Sequence, residues 1–451
     1  MSRFLLKNAT IVTGDSCAKG DLGIDGESIA GIWYGEDYSF ADAEEIDLGG
    51  KLLMAGMIDP HVHFREPGMT HKADIASESK SALEGGVTSF IDMPNTSPPT
   101  VTMEALEEKL SKAEASSYAN YGFHLGATNS NAGLVQEYLD NGLGSKFAGI
   151  KVFMGSSTGN MLVDREEALK DFFRIKGKPV LVHSEDESII RANLESARKK
   201  YGDVIPFCMH PLIRSREACV KSTAKALEMA IRFGTSLHLL HVSTAEEVEM
   251  LREAKAQNPS ITAETSANYL WFSDDDYDRL EGKLKCNPAV KTKADREALR
   301  RGLFDGTIDI LASDHAPHLL SEKDRRYPDC PSGVPSAGQT LSVAITLALE
   351  YGVPFQRIAN ACSERTAGIF GIEKRGFIRT GFFADLVVVD TDNKFEVKGN
   401  YKCRWSPYDG TMLKGSVEMV WLNGLPVVTG GILTTERERF QPRPLQFRPI
   451  G

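Results

Sequence analysis

The chain has 451 residues, of which 41% are hydrophobic and 25% are charged, an ordinary composition for a globular protein. Lysine and arginine number 52 against 62 aspartate and glutamate residues, which gives a net charge of -10. This acidic balance argues against binding to nucleic acid or to anionic membrane surfaces, because both need clustered basic charge. The length suits one large α/β domain or two to three smaller domains.

Two further absences narrow the class of protein. No run reaches the roughly 18 to 20 apolar residues of a membrane span, and the N-terminus lacks the apolar core of a signal peptide. We therefore expect a cytoplasmic protein. The seven cysteines are scattered and form no CxxC pair, which argues against a disulfide framework and against a thiolate zinc site.

Both ends of the chain have patterns typical of short β-strands. Residues 384–390 form an apolar strand, and residues 416–424 end in an Asn-Gly pair that is typical of a hairpin. The first fifty residues contain similar short runs cut by Gly and Asp. Neither end is long enough to bury a core alone, so we predict one small β-sandwich domain built jointly from residues 1–52 and 371–451.

The middle of the chain, residues 53–370, alternates short apolar runs with amphipathic segments. The runs predicted as strands are 52–63, 87–95, 121–129, 149–154, 179–186, 236–243, 260–267 and 307–318. Eight β/α alternations match a (β/α)₈ TIM barrel in number and length. The alternative is an open doubly wound sheet, which would need a glycine-rich phosphate turn after its first strand. His61, Val62 and His63 stand there instead.

Polar residues lie where several of these strands end. His61 and His63 share a face of the first strand, because alternate residues of a strand point the same way. His183 lies at the end of the fifth strand and Asp314 near the end of the eighth. The sixth strand carries His238 and His241, which face opposite ways; we assign His241 to the site because it lies nearer the C-terminal end.

Lys151 stands inside the otherwise apolar fourth strand. One interpretation is an edge strand with the lysine facing solvent. The other is a buried lysine whose amine stays neutral enough to react with carbon dioxide, giving a carbamate that can bridge two cations. Since barrel strand ends meet at one mouth, four imidazoles and a bridging anion suit two divalent cations, most often zinc. Such a pair favours hydrolysis or condensation at an amide-type carbonyl.

The order of these residues resembles the amidohydrolase superfamily, and longer motifs resemble its dihydroorotase family. The motifs are HVHFREPG at 61–68, DMPNT at 92–96 followed by Pro98, KCNP at 285–288, SDHAPH at 313–318 and WSPYDG at 405–410. The likeness covers nearly the whole chain. It implies an enzyme with two Zn²⁺ ions, held by His61, His63, Lys151, His183, His241 and Asp314. N6-carboxylated Lys151 and a hydroxide would bridge the two ions.

The same resemblance implies the contacts with a small-molecule substrate. Arg65, Asn95 and His318 would bind its carboxylate, and a charged His318 would strengthen that binding. Asn287 and the loop around Gly333 would contact the amide edge of its ring. The alternative role for Arg65 is a structural salt bridge with Glu66 or Asp74.

The reaction implied is the reversible cyclisation of N-carbamoyl-L-aspartate to (S)-dihydroorotate and water, the third step of pyrimidine biosynthesis. In the hydrolytic direction the bridging hydroxide would attack the ring carbonyl, with Asp314 as general base and then general acid. Two alternatives stay open: another cyclic-amide hydrolase such as an allantoinase or hydantoinase, and a non-catalytic scaffold. Arg65 with Asn95 favours dihydroorotate, and the complete ligand set favours an enzyme. A homodimer is expected from the family alone, and association with other pyrimidine-pathway enzymes stays undecided.

Overall fold

The computed structural model describes residues 2–155 and 161–450. Its strands are β1 (Arg3–Val12), β2 (Cys17–Asp25), β3 (Ser28–Trp33), β4 (Glu44–Asp47), β5 (Leu52–Ala55), β6 (Met57–Val62), β7 (Val87–Asp92), β8 (Asn120–Phe123), β9 (Leu125–Gly126), β10 (Ile150–Phe153), β11 (Val180–His183), β12 (Leu237–Leu239), β13 (Thr262–Ser266), β14 (Ile310–Ala312), β15 (Leu386–Glu396), β16 (Met412–Leu422), β17 (Leu425–Thr429) and β18 (Ile432–Leu433). Its α-helices are α1 (Ile75–Glu84), α2 (Met103–Ser116), α3 (Ala132–Asp140), α4 (Glu166–Arg174), α5 (Glu187–Tyr201), α6 (His210–Ile213), α7 (Arg216–Phe233), α8 (Ala245–Gln257), α9 (Ala267–Trp271), α10 (Tyr277–Leu280), α11 (Lys293–Asp305), α12 (Leu320–Lys323), α13 (Thr340–Tyr351), α14 (Phe355–Ala359) and α15 (Arg365–Phe370).

Strands β6 to β14 form a parallel barrel. One run of pairing joins β6, β7 and β8, and a second joins β9 through β14 in chain order. His124 alone separates β8 from β9, so these two pieces act as one barrel strand. A parallel bridge between Val62 and His315 closes the ring, supported by a 2.7 Å hydrogen bond from the His63 amide to the His315 carbonyl. The predicted (β/α)₈ barrel is confirmed.

The helices between the strands cover the outside of the barrel. Helix α7 shows why they form where they do. Ser215 caps its N-terminus by accepting a hydrogen bond from the Ala218 amide, and Gly234 ends it in the left-handed conformation at φ 62°. Its buried face includes Ala226 and Leu227, which join the apolar core that runs through the barrel.

The two ends of the chain share a nine-stranded sheet, so the predicted β-domain is confirmed. Its order is β18-β17-β16-β15-β5-β1-β2-β3, with β4 paired to β1. The N-terminal and C-terminal halves meet where β5 pairs antiparallel with β15, for example at Leu53 and Val388. Buried side chains such as Leu6, Leu22 and Trp421 form a separate core here. The boundaries at residues 52/53 and 370/371 stay a prediction.

The run 52–63, predicted as one strand, is two strands in the structure. Strand β5 belongs to the terminal sheet and β6 to the barrel, and Gly56 lies between them. A Cβ at Gly56 would stand 2.2 Å from the Thr88 side chain, so only glycine fits at this junction. Across the described ranges 2–155 and 161–450, no helix has both the length and the apolar character to cross a membrane.

Candidate metal centre and active site

The C-terminal ends of five barrel strands meet at one cavity. Its walls include all of the predicted metal ligands: His61, His63, Lys151, His183, His241 and Asp314. They lie in or directly after β6, β10, β11, β12 and β14. The barrel therefore brings together residues that are far apart in the chain. They lie at its C-terminal end, where the active sites of such barrels are found.

Three residues at this mouth have unusual backbone conformations. His241, Asp314 and Arg65 have φ angles of 39°, 49° and 66°, in the left-handed region that side chains rarely adopt. Each lies just past the end of its strand, where the chain must turn away from the barrel. Such conformations cost of order 1–3 kcal/mol each and persist only where surrounding contacts hold them.

The first group of ligands is His61, His63 and Asp314. Their ligand atoms all lie within 4.8 Å of one another. Asp314 Oδ1 is 3.3 Å from His61 Nε2 and 3.4 Å from His63 Nε2. Burial alone would raise the pKa of the Asp314 carboxyl, but the neighbouring imidazoles outweigh it and lower that pKa. Burial lowers the pKa of His63 to about 4, so its imidazole is neutral and free to bind a metal ion.

Hydrogen-bond partners at Nδ1 of each imidazole hold the two histidines of this group in place. Glu264 of β13 makes a short hydrogen bond with His61 Nδ1, and Asn95 Oδ1 lies 2.9 Å from His63 Nδ1. An acceptor at Nδ1 keeps the proton there and leaves the Nε2 lone pair facing Asp314. The side-chain carbonyl of Asn95, a residue predicted to bind substrate, thus accepts from His63. Its amide hydrogens remain available to a ligand in the cavity.

The second group is His183 with His241. His183 Nδ1 lies 2.8 Å from His241 Nε2, while His183 Nε2 donates to Glu185 at 2.8 Å. Burial lowers the pKa of both imidazoles, that of His241 to well below its usual range. Within the described residues, the buried His241 Nδ1 has no hydrogen-bond partner. Two neutral imidazoles whose nitrogens converge fit a divalent cation such as zinc.

Lys151 lies between the two groups and is 1% exposed. Strand β10 pairs with both β9 and β11, so Lys151 is not on an edge strand facing solvent. Burial lowers the pKa of its amine to about 7, and Nζ lies 4.6 Å from the centre of the Phe153 ring. The Asp314 and Glu264 carboxylates act to raise this pKa, but burial outweighs them. Much of it is therefore neutral near pH 7, the form that can react with carbon dioxide.

Arg65 lies in the cavity wall and is 5% exposed. Its Nε donates to the Pro317 carbonyl at 3.1 Å. Among the residues that the structure describes, Arg65 has no carboxylate within 4 Å. Glu66 instead accepts from the Ile75 amide, so the alternative of a salt bridge to Glu66 is wrong.

Asp74 is also engaged elsewhere, since it pairs with Lys402. Burial lowers the pKa of Arg65 to about 10, which keeps its guanidinium charged at neutral pH. The cavity wall therefore carries a buried positive charge without an acidic partner.

His318 lies behind Arg65 and is 7% exposed. Its Nδ1 lies 3.0 Å from Lys72 Nζ, and its Nε2 lies 3.1 Å from Arg65 Nη2 and 3.0 Å from the Ser332 carbonyl. Burial, together with the nearby Arg65 and two lysines, holds the pKa of His318 well below its usual range. This lowered pKa disfavours a charged His318, even though Glu322 Oε2 lies 3.7 Å from its Nδ1. Its contact with substrate stays a prediction.

Asn287 and Gly333 both line the cavity, as predicted for substrate contacts. Asn287 Oδ1 is buried and has no partner among the described residues. The Gly333 amide is occupied, since it donates to the Lys285 carbonyl at 2.9 Å. Gly333 has φ 138°, and a Cβ there would lie 2.5 Å from the Ala316 carbonyl. Glycine is needed because this loop passes close to the end of β14.

The sequence analysis missed the acidic residues that hold the ligands. Glu264 contacts His238 Nε2 at 3.2 Å as well as His61, and so joins the histidine left out of the predicted site to one predicted to bind metal. Glu185 connects His183 to Arg214, at 3.2 Å from the guanidinium. An acidic residue in the middle of a predicted barrel strand was the signal available for Glu264.

Comparisons with known proteins agree with this geometry. A family model described as "Amidohydrolase family" matches residues 52–427. A dihydroorotase of Halobacterium salinarum is 35% identical over 398 residues, covering 86% of this chain and 89% of the relative. An allantoinase of Deinococcus radiodurans is 32% identical, covering 98% of this chain and 99% of the relative. The solved L-hydantoinase (dihydropyrimidinase) of Arthrobacter aurescens superposes with a TM-score of 0.91 at 26% identity, covering 97% of this chain and 98% of its own.

Proposed function

The chain belongs to the amidohydrolase family, and from this we propose that it is a dihydroorotase, which interconverts N-carbamoyl-L-aspartate and (S)-dihydroorotate plus water. Membership confirms the family and the hydrolase expected from the motifs. The choice of substrate is ours, because relatives named dihydroorotase and allantoinase match at similar identity.

The observation that carries this choice is the unpaired charge of Arg65. A buried guanidinium without an acidic partner is costly, and a ligand carboxylate would offset that cost through parallel hydrogen bonds. Dihydroorotate has one carboxylate beside a cyclic ureide. Allantoin and hydantoin lack that carboxylate and would leave Arg65 without a counter-charge.

We propose two Zn²⁺ ions at this mouth. His61, His63 and Asp314 would hold one and His183 with His241 the other, bridged by N6-carboxylated Lys151 and a hydroxide. The metal pair would supply an activated water and polarise the carbonyl under attack. A protein enriched with ¹³C-bicarbonate should give a carbamate carbon signal that the Lys151→Met variant lacks.

Asp314 would carry the proton. Its lowered pKa keeps it a carboxylate at neutral pH, so it accepts a proton as water attacks the ring carbonyl and returns it to the departing nitrogen. Arg65 and the amide of Asn95 would hold the substrate carboxylate. The free Oδ1 of Asn287 is the acceptor available for a ring N–H.

The test compares dihydroorotate, allantoin and hydantoin as substrates of the zinc-loaded protein. We expect turnover of dihydroorotate in both directions and a kcat/KM for allantoin and hydantoin lower by about 30-fold or more, since a missing charged partner costs about 2–5 kcal/mol. Turnover of allantoin alone would refute the proposal. A cytoplasmic homodimer acting in pyrimidine biosynthesis accompanies this proposal on family resemblance alone.

A further inference from the structure

Lys323, the last residue of α12, is a buried cation near the cavity that the catalytic roles above leave unused. It is 1% exposed, and its Nζ contacts three backbone carbonyls: those of Lys285 at 3.0 Å, Pro331 at 2.8 Å and Gly333 at 2.9 Å. Three acceptors match the three hydrogens of an ammonium, whereas a neutral amine has only two. This arrangement favours the charged form, although burial lowers the pKa of Lys323 to about 7.

The three carbonyls belong to two separate segments of chain. One is residues 285–287, which bring Asn287 to the cavity wall, and the other is residues 331–333, which bring Ser332 and Gly333 there. The two segments also touch directly, because the Gly333 amide donates to the same Lys285 carbonyl at 2.9 Å. Lys323 thus joins the two segments at a single point. We call this arrangement the Lys323 brace.

A second lysine strengthens the same region. Lys285 Nζ donates to the Pro328 carbonyl at 2.8 Å and to that of Cys330. In the described part of the chain neither lysine has a carboxylate within 4 Å, so backbone carbonyls accept the hydrogen bonds of both. Aromatic rings lie nearby as well: Trp405 is 5.9 Å from Lys323 Nζ, and Tyr327 is 4.6 Å from Lys285 Nζ.

We propose that Lys323 is a positioning residue for substrate binding, which fixes the spacing between Asn287 and the Gly333 loop. The brace touches none of the predicted metal ligands, so its loss affects how well the ring is held rather than the chemical step. This inference rests on the proposed function of the cavity. Its structural part, the joining of the two segments, is measurable without any substrate.

The decisive variant is Lys323→Met, which keeps the length of the side chain and removes its hydrogen bonds. Lys178→Met is a matched control. Lys178 is also 1% exposed, but it precedes β11 at the opposite end of the barrel, and its Nζ has no hydrogen-bond partner among the described residues. Both variants replace one buried ammonium with a thioether, but only Lys323→Met removes hydrogen bonds to the two segments of the cavity wall.

Two measurements are made on the zinc-loaded proteins. The first is amide hydrogen exchange in peptides covering residues 285–288 and 331–334. The second is steady-state kinetics with dihydroorotate, together with metal content. For Lys323→Met we expect exchange at the Gly333 amide to rise by about tenfold or more, and KM to rise by a similar factor while kcat stays within about threefold. Lys178→Met should match the parent protein in both measurements.

Lys323→Arg keeps the positive charge but changes the hydrogen-bond geometry. The same measurements are made on it if Lys323→Met does not fold. A planar guanidinium cannot donate three diverging hydrogens from one nitrogen, so we expect it to leave KM raised. Parental KM in Lys323→Arg, or parental exchange in Lys323→Met, would overturn the inference, as would loss of metal from either variant. Faster exchange in a protein that does not act on dihydroorotate would support the brace and refute the proposed function instead.

Discussion

The unpaired charge of Arg65 leads to a prediction about both activity and stability. In Arg65→Met the cavity loses its guanidinium but keeps a side chain that fills similar space. Arg65 Nε donates to the Pro317 carbonyl and Nη2 lies 3.1 Å from His318 Nε2, which leaves Nη1 and one hydrogen of Nη2 to bind a carboxylate. Removing one partner of a desolvated charge pair costs about 2–5 kcal/mol, so kcat/KM for dihydroorotate should fall by roughly 30-fold to 4000-fold.

The same variant should be as stable as the parent protein or more stable. Because Arg65 has no carboxylate within 4 Å among the described residues, its removal breaks no ion pair and relieves a buried charge. We expect a Tm for Arg65→Met equal to or above that of the parent protein, without substrate. Arg300→Met is the matched control, since Arg300 is 7% exposed and also donates its Nε to a backbone carbonyl, that of Leu270.

The assay follows dihydroorotate formation and opening by absorbance, and differential scanning fluorimetry gives Tm. Arg300→Met should keep the parental kcat/KM whatever it does to Tm. The reasoning fails if Arg65→Met retains parental kcat/KM for dihydroorotate. It fails equally if Tm drops sharply, because Arg65 would then be a structural residue.

Three further changes test other parts of the site. Glu264→Gln keeps the shape of the partner of His61 but removes its charge, so metal affinity should fall by about 10- to 100-fold in competition with a chelator; Glu247→Gln, at a buried glutamate bound to Thr223 and Thr244, should leave it unchanged. Asp314→Asn should lower kcat by about 10²- to 10⁴-fold while the protein stays folded, and near-parental turnover would contradict the proton transfer. His124 has a pKa lowered to about 3 by burial, so between pH 6.5 and 3 the unfolded chain binds the extra proton. His124 alone should therefore lower the free energy of unfolding by about 1.4 kcal/mol for each pH unit of acidification in that window, and His124→Gln should remove this contribution from the slope in denaturant titrations.

The sequence was sufficient to predict the barrel and the residues at its mouth. Most strands were short and apolar with a polar residue near the C-terminal end. In a barrel those ends meet at one cavity, as His183 and Asp314 do. The division at Gly56 could not be predicted, because the apolar pattern continues from β5 into β6. The neutral state of His318 depends on Lys72 and Arg65, which reach it only in the folded chain. Glu264 was missed for the same reason, since its contact with His61 spans the barrel.

The pairing of β5 with β15 affects the order in which this protein can fold. Strand β5, which leads directly into the barrel, completes its pairing only with β15, which follows the whole barrel in the chain. The first barrel strand, β6, also closes the ring only when Val62 pairs with His315. Until then β5 presents an unpaired edge, which can join other chains. Removal of the last strands should therefore expose that edge and cause aggregation, rather than release an independently folded barrel.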